Sequence, residues 1–265
     1  MIHRKNLIKL IEANGYRHSS WQVFSDFVEM AAISISNAVD WAQREARERR
    51  YTEIISRYDA EEAGRFPRML GELVMELEAS GPADVLGQVF MEMELMSKWH
   101  GQFFTPYELC RMMSRMMVDD QMRDLIERRG FIRANEPACG GGAMIIAMAE
   151  EMHKAGINYQ QHLHVVAQDI DAKAVHMAYI QLSLLHIPAV VIQGNTIALE
   201  ERAHWLTPAH IMGGWHWRLS RAEQPEQIRV EPAAAAPEQI VIRQEPRPVA
   251  PARSQTENTN QLSLF

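Results

Sequence analysis

The chain has 265 residues, of which 47% are hydrophobic and 23% are charged, and its formal net charge at pH 7 is −7. This composition is ordinary for a globular protein and provides enough apolar residues for one sizeable core. The acidic balance argues against a free-standing DNA-binding protein, because neutralising phosphates needs clustered Lys and Arg, and no apolar run reaches the roughly 20 residues of a membrane span.

The N-terminal residues and the cysteines bear on where the protein works. Residues 1–9 mix His, Arg and Lys with Leu and Ile, and they lack the apolar core and small-residue cleavage site of a signal peptide. Cys110 and Cys139 are the only cysteines, and they offer no pairing framework, which fits a reducing compartment. We therefore expect a cytoplasmic protein.

Residues 1–98 show the periodicity of helices and no strand pattern. A helix capped by Ser19 or Ser20 would place four apolar residues on one face, namely Trp21, Phe24, Phe27 and Val28. A second stretch with the same spacing carries Leu86, Val89, Phe90 and Met93. We predict a helical N-terminal domain over residues 1–98, which either packs on the rest of the chain or docks a partner.

A capping box is predicted shortly after residue 100. Thr105, Pro106 and Glu108 fall at its N-cap, N1 and N3 positions, so a helix should begin here. One side of this helix carries an apolar stripe, which we expect to be part of the core. The stripe consists of Leu109, Met112, Met113, Met116 and Met117.

Strands and helices alternate from about residue 130 onward. We predict strands at 131–138, 162–170 and 189–193, with helices at 143–155 and 172–186 between them. This alternation implies a parallel sheet with right-handed crossovers. Such sheets bind ligands at the carboxyl ends of their strands, which here carry a glycine-rich turn, Asp169 and Asn195.

The residues at these strand ends favour an adenosine-containing ligand. The glycines at 140–142 let a ligand approach the backbone where a Cβ would clash. Asp169, at the end of the second strand, is placed to accept hydrogen bonds from ribose hydroxyls. Asp171 is an alternative, although its position is more typical of the cap of the following helix. A dinucleotide is less favoured, because the glycine spacing differs from G-x-G-x-x-G.

Four segments, in order and suitably spaced, resemble the modification subunits of type I restriction systems and related adenine-N6 DNA methylases. They are Gly101-Gln-Phe-Phe-Thr-Pro106, Glu136-Pro-Ala-Cys-Gly-Gly-Gly142, Gln168-Asp169 and Gly194-Asn-Thr-Ile197. Glu136 and Asn195 stand where the family has aspartate. The resemblance implies a Rossmann-like α/β class I methyltransferase core over residues 99–219. It also implies S-adenosylmethionine as cofactor, held by Phe104, Thr105, Glu136, Pro137, Ala138, Cys139, Gly140, Gly142, Asp169 and Asn195.

The catalytic segment of that family is missing from the sequence. The family carries Asn-Pro-Pro followed by Phe or Tyr after its third strand, where it holds a flipped adenine. Neither Asn-Pro-Pro nor Asp-Pro-Pro occurs in this chain. The catalytic motif would be expected between Trp205 and Trp215. Thr207-Pro208 with His210 or Trp215 is an alternative, as a divergent substitute for that motif. The catalytic residues are therefore unknown, and the parallel sheet is expected to be truncated, with room for one more strand after Asn195.

The histidines of the same region do not indicate a metal. His204, His210 and His216 match neither zinc-finger nor H-E-x-x-H spacing. We predict packing or surface roles for them and no metal site.

The last forty-five or so residues differ in composition from the rest. Residues 220–260 are rich in Pro, Ala, Glu and Gln, which predicts a disordered linker. Residues 261–265, Gln-Leu-Ser-Leu-Phe, are similar to the peptide by which bacterial polymerases and repair proteins bind the DNA sliding clamp. In such peptides the glutamine and the Leu-Phe end make the contacts, which here are Gln261, Leu262, Leu264 and Phe265. The alternative is an apolar end that folds back on its own domain.

Together these features predict a bacterial or mobile-element protein of the adenine-N6 DNA methylase family. It would bind S-adenosylmethionine and act on or at DNA, tethered to the sliding clamp. The alternative is a catalytically inactive adaptor in a restriction or replication-associated complex. A second methylase or specificity chain that supplies the missing catalytic half is a further partner to consider.

Overall fold

The structure, a computed structural model, describes residues 2–96 and 105–223. Phe104, the predicted clamp-binding residues Gln261, Leu262, Leu264 and Phe265, and residues 224–260 of the predicted linker lie outside the described residues. Residues 220–223 of that predicted linker belong to the last described helix. None of the helices in the described ranges combines the length and apolar content needed to cross a bilayer.

Five helices lie within the described residues 2–96. They are α1 (Ile2–Asn14), α2 (Ser20–Asn37), α3 (Arg44–Ile55), α4 (Ala60–Ser80) and α5 (Val85–Met96). Ser19 caps α2 by accepting a hydrogen bond from the Gln22 backbone N–H, which confirms one of the two predicted caps. A full capping box formed by Asp59 and Glu62 starts α4. The apolar faces of these helices are buried, and each fully buried Phe or Leu stabilises the fold by roughly 1.5–3 kcal/mol.

Seven helices and four strands follow in the described part. They are α6 (Tyr107–Met117), α7 (Asp120–Arg129), β1 (Ile132–Glu136), α8 (Ala143–Lys154), α9 (Tyr159–His162), β2 (Leu163–Asp169), α10 (Ala172–Leu184), β3 (Ala189–Asn195), β4 (Glu200–Leu206), α11 (Pro208–Met212) and α12 (Trp215–Glu223). The predicted α/β fold class is confirmed.

The four strands lie in the order β1-β2-β3-β4. β1, β2 and β3 are parallel, in a register that places Ala134 beside Val165 and Val165 beside Ala189. β4 pairs antiparallel with β3, so the one further strand for which the sequence had room is present. No described strand lies on the other side of β1, and the predicted truncation of the parallel sheet holds for this part of the chain.

One hydrophobic core joins the N-terminal helices to the sheet. Buried residues of β2 and β3 belong to the same apolar cluster as Phe24 and Phe27 of α2. α2 packs against α10, and α6 packs against α8. Contacts between α2 and α10 cross the predicted domain boundary near residue 98, and the domain boundaries themselves stay a prediction.

Two expectations for α6 are wrong. The helix begins at Tyr107 with Pro106 as its N-cap and without a side-chain cap, so Thr105 does not cap it. The apolar stripe is not core: its members are between 42% and 78% exposed. Instead, α6 buries Cys110 and Ser114, on its other side. Periodicity predicted which residues share a face, but what covers a face depends on tertiary packing.

Candidate functional site

A pocket of about 270 Å³ opens where β1 and β2 end. It is lined by Thr105, Cys110, Glu136, Ala138, Cys139, Gly140, Gly141, Ala143, Met144 and Asp169. Six residues predicted from the sequence therefore meet here, namely Thr105, Glu136, Ala138, Cys139, Gly140 and Asp169. Pro137, Gly142 and Asn195 do not line the pocket, and Phe104 lies outside the described residues.

The glycine turn needs glycine at two of its positions. Gly140 and Gly142 have positive φ angles of 53° and 92°, which residues with a Cβ adopt only with strain. Gly142 also starts α8 and donates its backbone N–H to the Cys139 carbonyl at 2.9 Å. The turn thus brings the backbone of Gly140 and Gly141 to the pocket wall, where a ligand can approach closely.

Asp169 ties the glycine turn to the end of β2. One carboxylate oxygen accepts the Gly140 backbone N–H at 2.8 Å, and the other accepts the Asp171 N–H at 2.9 Å. Asp171 caps α10 through the Lys173 N–H at 3.0 Å, as its position predicted. An ionised carboxylate has about four lone-pair sites. Asp169 therefore keeps acceptor capacity for hydroxyl groups of a ligand in the pocket.

Asn195 shapes the turn that follows β3. Its side-chain oxygen accepts the backbone N–H groups of Ile197 and Ala198, each at 3.1 Å. The neighbouring Thr196 hydroxyl donates to the Pro137 carbonyl at 2.6 Å, so the end of β3 is tied to the chain that leaves β1. Asn195 therefore acts here on loop geometry, and its amide oxygen is engaged by backbone donors.

The two cysteines of the pocket are not activated thiols. Both are buried, and burial raises the pKa of each thiol above its usual range. A thiol with a raised pKa is uncharged at pH 7 and therefore a poor nucleophile. Cys110 and Cys139 thus contribute a neutral, weakly polar wall.

Two polar residues on the core side of the glycine turn were not predicted from the sequence. Gln181 of α10 donates its side-chain amide to the Gly141 carbonyl at 2.9 Å, and Asp84 accepts from the same amide at 2.9 Å. A glutamine inside an otherwise apolar stretch of helix was the available signal for Gln181. No local signal marked Asp84, because its contact with Gln181 spans 97 residues of sequence.

The segment from Trp205 to Trp215 lies at the other end of the sheet. His210 is 3.0 Å from His164, the second residue of β2, and Trp215 packs on the same histidine. Asp169 is five residues further along β2, which is roughly 16 Å. Burial lowers the pKa of His164 to about 3 and lowers that of His210 as well, so both are neutral at pH 7. Thr207, His210 and Trp215 are packing residues remote from the pocket.

A metal site is not apparent in the described part of the chain. Within residues 2–96 and 105–223, no group of three or more His, Cys, Asp or Glu side chains could hold a metal ion. His204 pairs with Glu201 at 2.9 Å on the surface, and His216 is exposed.

In a comparison with known protein families, the chain matches one family model. Residues 83–233, more than half of the chain, match the family model described as N-6 DNA Methylase. No curated protein matches the chain.

Two solved structures are similar to the chain at low identity. The methyltransferase subunit of a type I restriction-modification system from Streptococcus thermophilus is 14% identical, with a TM-score of 0.39, over 73% of this chain and 39% of that one. A Listeria monocytogenes protein described as a class I S-adenosylmethionine-dependent methyltransferase is 11% identical, with a TM-score of 0.42, over 84% of this chain and 71% of that one. The chain thus spans about two fifths of the length of the Streptococcus subunit.

Proposed function

Because the chain belongs to the N-6 DNA methylase family, we propose that it binds S-adenosylmethionine in the pocket at the ends of β1 and β2 and acts on or at DNA. The observation that carries this proposal is the meeting of six predicted cofactor residues around one pocket, with Asp169 bonded to the glycine turn. Asp169 would accept the ribose hydroxyls, and the turn backbone would allow close approach of the cofactor. When bound, S-adenosylmethionine supplies an electrophilic methyl group, whose acceptor would be adenine N6.

We further propose that a second methylase or specificity chain completes the base-binding side. In open α/β sheets the ligand crevice forms where the strand order reverses, and this order runs one way from β1 to β4. A groove of about 640 Å³ borders β1, lined by methionines of α6, α7 and α8. Methionine-rich surfaces adapt readily to protein partners. The exposed stripe of α6 supports the same role, because two of its members, Met113 and Met117, line this groove.

A non-catalytic adaptor is the second candidate function. The absence of Asn-Pro-Pro and Asp-Pro-Pro from the whole sequence favours it. The described residues also place no alternative catalytic group from the 205–215 segment near the pocket. The adaptor would keep cofactor binding and act through its partners.

Base-resolution modification sequencing separates the two functions. DNA from bacterial cells that express the chain would be compared with DNA from cells that express Gly142→Asp, since the φ of 92° at Gly142 disfavours a side chain. An active methylase gives new N6-methyladenine at a defined motif, which the variant loses. Asp169→Ala serves as a second variant if Gly142→Asp accumulates poorly. Unmodified DNA in every strain would contradict methyl transfer and favour the adaptor.

We propose that the C-terminal peptide tethers the protein to the sliding clamp. Its sequence, Gln-Leu-Ser-Leu-Phe, is the support for this proposal. The full chain should bind a purified bacterial clamp, and Phe265→Ala should weaken binding at least about tenfold, because the aromatic ring fills an apolar pocket. Leu199→Ala, at an apolar residue that is 87% exposed elsewhere, is the matched control and should bind normally. Equal binding by the native chain and Phe265→Ala would refute the tether.

A further inference from the structure

Two buried polar side chains lie directly behind the glycine turn, and the proposed function assigns neither a role. Asp84 is 4% exposed and Gln181 is fully buried. Burying a polar group is unfavourable unless hydrogen bonds replace those made with water. Their partners therefore show what the two side chains hold in place.

Gln181 uses both ends of its amide. Its NH2 group donates to the Gly141 carbonyl and to one oxygen of Asp84, Oδ1, each at 2.9 Å. Its carbonyl accepts the Leu86 backbone N–H at 2.9 Å. A flipped amide would set NH2 against that N–H and its oxygen against two other oxygens, so the surroundings allow one orientation.

Asp84 joins the same network to the first turn of α5. Its Oδ1 also accepts the Gly87 backbone N–H at 3.0 Å. A Cβ at Gly87 would collide with the Asp84 carboxyl group, so the glycine leaves the space that this group occupies. Burial raises the pKa of Asp84, and the hydrogen bonds from Gln181 and Gly87 oppose that rise.

The glycine turn is therefore held from two sides. On the pocket side, the Gly140 N–H is bonded to Asp169 at 2.8 Å. On the core side, the Gly141 carbonyl is bonded to Gln181 at 2.9 Å. Glycine loses more backbone entropy on ordering than any other residue, so a turn of three glycines gains most from fixed partners.

We propose that Asp84 and Gln181 are positioning residues that hold the glycine turn in its ligand-binding conformation from behind. A turn that is ordered before the ligand arrives binds it more tightly, because less entropy is lost on binding. Asp84 precedes α5, in the predicted N-terminal domain, whereas the turn belongs to the predicted cofactor domain. The pair thus makes cofactor affinity depend on the N-terminal helices. This inference rests on the proposed function for its ligand.

Hydrogen exchange on the full chain without cofactor tests the positioning role by itself. In Gln181→Leu the Gly141 carbonyl loses its buried donor, and exchange in the peptide that covers residues 139–143 should accelerate about tenfold or more. Peptides from β3 should exchange as in the native protein. Ser183→Ala, which changes another buried polar residue of the same helix, is the control and should leave the turn unchanged. Unaltered exchange at 139–143 in Gln181→Leu would overturn the inference.

Comparing two substitutions at Asp84, one conservative and one not, separates loss of the hydrogen bonds from failure to fold. Asp84→Asn keeps an Oδ1 that can accept from both Gly87 and Gln181, whereas Asp84→Ala removes it. S-adenosylmethionine titrated into folded protein should bind Asp84→Ala about tenfold more weakly than the native chain and Asp84→Asn within about threefold of it. Equal affinity in all three would overturn the inference. If the native chain itself fails to bind, the proposed function is lost, while the exchange result still decides the positioning role.

Discussion

Replacing Asp169 by alanine is expected to weaken binding of S-adenosylmethionine by at least about 100-fold, since each hydrogen bond to a charged group contributes about 1.5–3 kcal/mol. The variant loses the proposed acceptor of the ribose hydroxyls. It also frees the Gly140 N–H, which Asp169 holds at 2.8 Å, so the glycine turn becomes less ordered. Calorimetric titration of the native chain and the variant measures the effect.

Asp171→Ser is the matched control for this prediction. It lies two residues away and can still cap α10 through the Lys173 N–H, since serine is a good N-cap. We expect its cofactor affinity to stay within about twofold of the native value, because Asp171 does not line the pocket. If Asp169→Ala were folded and bound the cofactor as well as Asp171→Ser, the pocket would not be the cofactor site.

Replacing Trp215 by alanine is expected to lower the free energy of unfolding by about 3–5 kcal/mol. The side chain is 1% exposed. Its ring lies 5.1 Å from the rings of both Phe131 and His164, and the Arg218 guanidinium lies 3.7 Å from its centroid. The cavity left by the ring would open under the start of β1 and β2. Urea denaturation followed by circular dichroism measures the loss.

Trp217→Ala provides the comparison within the same helix. Trp217 is 76% exposed, so its loss should change stability by no more than about 0.5 kcal/mol. Folded Trp215→Ala should also keep its cofactor affinity, because the ring lies at the end of the sheet opposite the pocket. A stable Trp215→Ala variant that had lost cofactor binding would instead assign the 205–215 segment to the functional site.

The sequence predicted the strand and helix alternation between residues 131 and 195, because most of these segments are short, largely apolar and bounded by turn residues. The ends of the elements were less well predicted. The first strand was expected at 131–138 but spans Ile132–Glu136, since the turn begins at Pro137. Strand ends depend on pairing with neighbours, and β1 pairs with β2 only from Ile132 to Glu136.

β4 shows why local sequence was insufficient beyond residue 195. Its residues Glu200 to Leu206 carry several charges and no clear alternation, and the pairing with β3 is interrupted by a bulge near Gly194. The strand is held by Trp205, which packs on Tyr179 and lies beneath the Arg47 guanidinium at 4.0 Å. Packing against distant residues thus outweighed the weak strand propensity of the segment.

Candidate site residues at strand ends could be predicted, because parallel strands bring their carboxyl ends together whatever the rest of the fold is. Residues that contact the glycine turn from its core side could not be predicted. Asp84 and Gln181 meet across 97 residues, and neither belongs to a local pattern that indicates a ligand. The exposed stripe of α6 shows a different limit. Its periodicity correctly predicted that the residues share one face, but the sequence did not reveal that no described part of the chain buries this face.

Calorimetric titration of S-adenosylmethionine into the purified full chain measures whether the pocket at the ends of β1 and β2 binds this cofactor. We expect binding at a single site with a dissociation constant in roughly the micromolar range. S-adenosylhomocysteine should compete for this site, and Asp169→Ala should abolish the signal at the same concentrations. If the folded native chain bound neither compound at about millimolar concentration, which corresponds to roughly 4 kcal/mol of binding free energy, the pocket would not be a cofactor site.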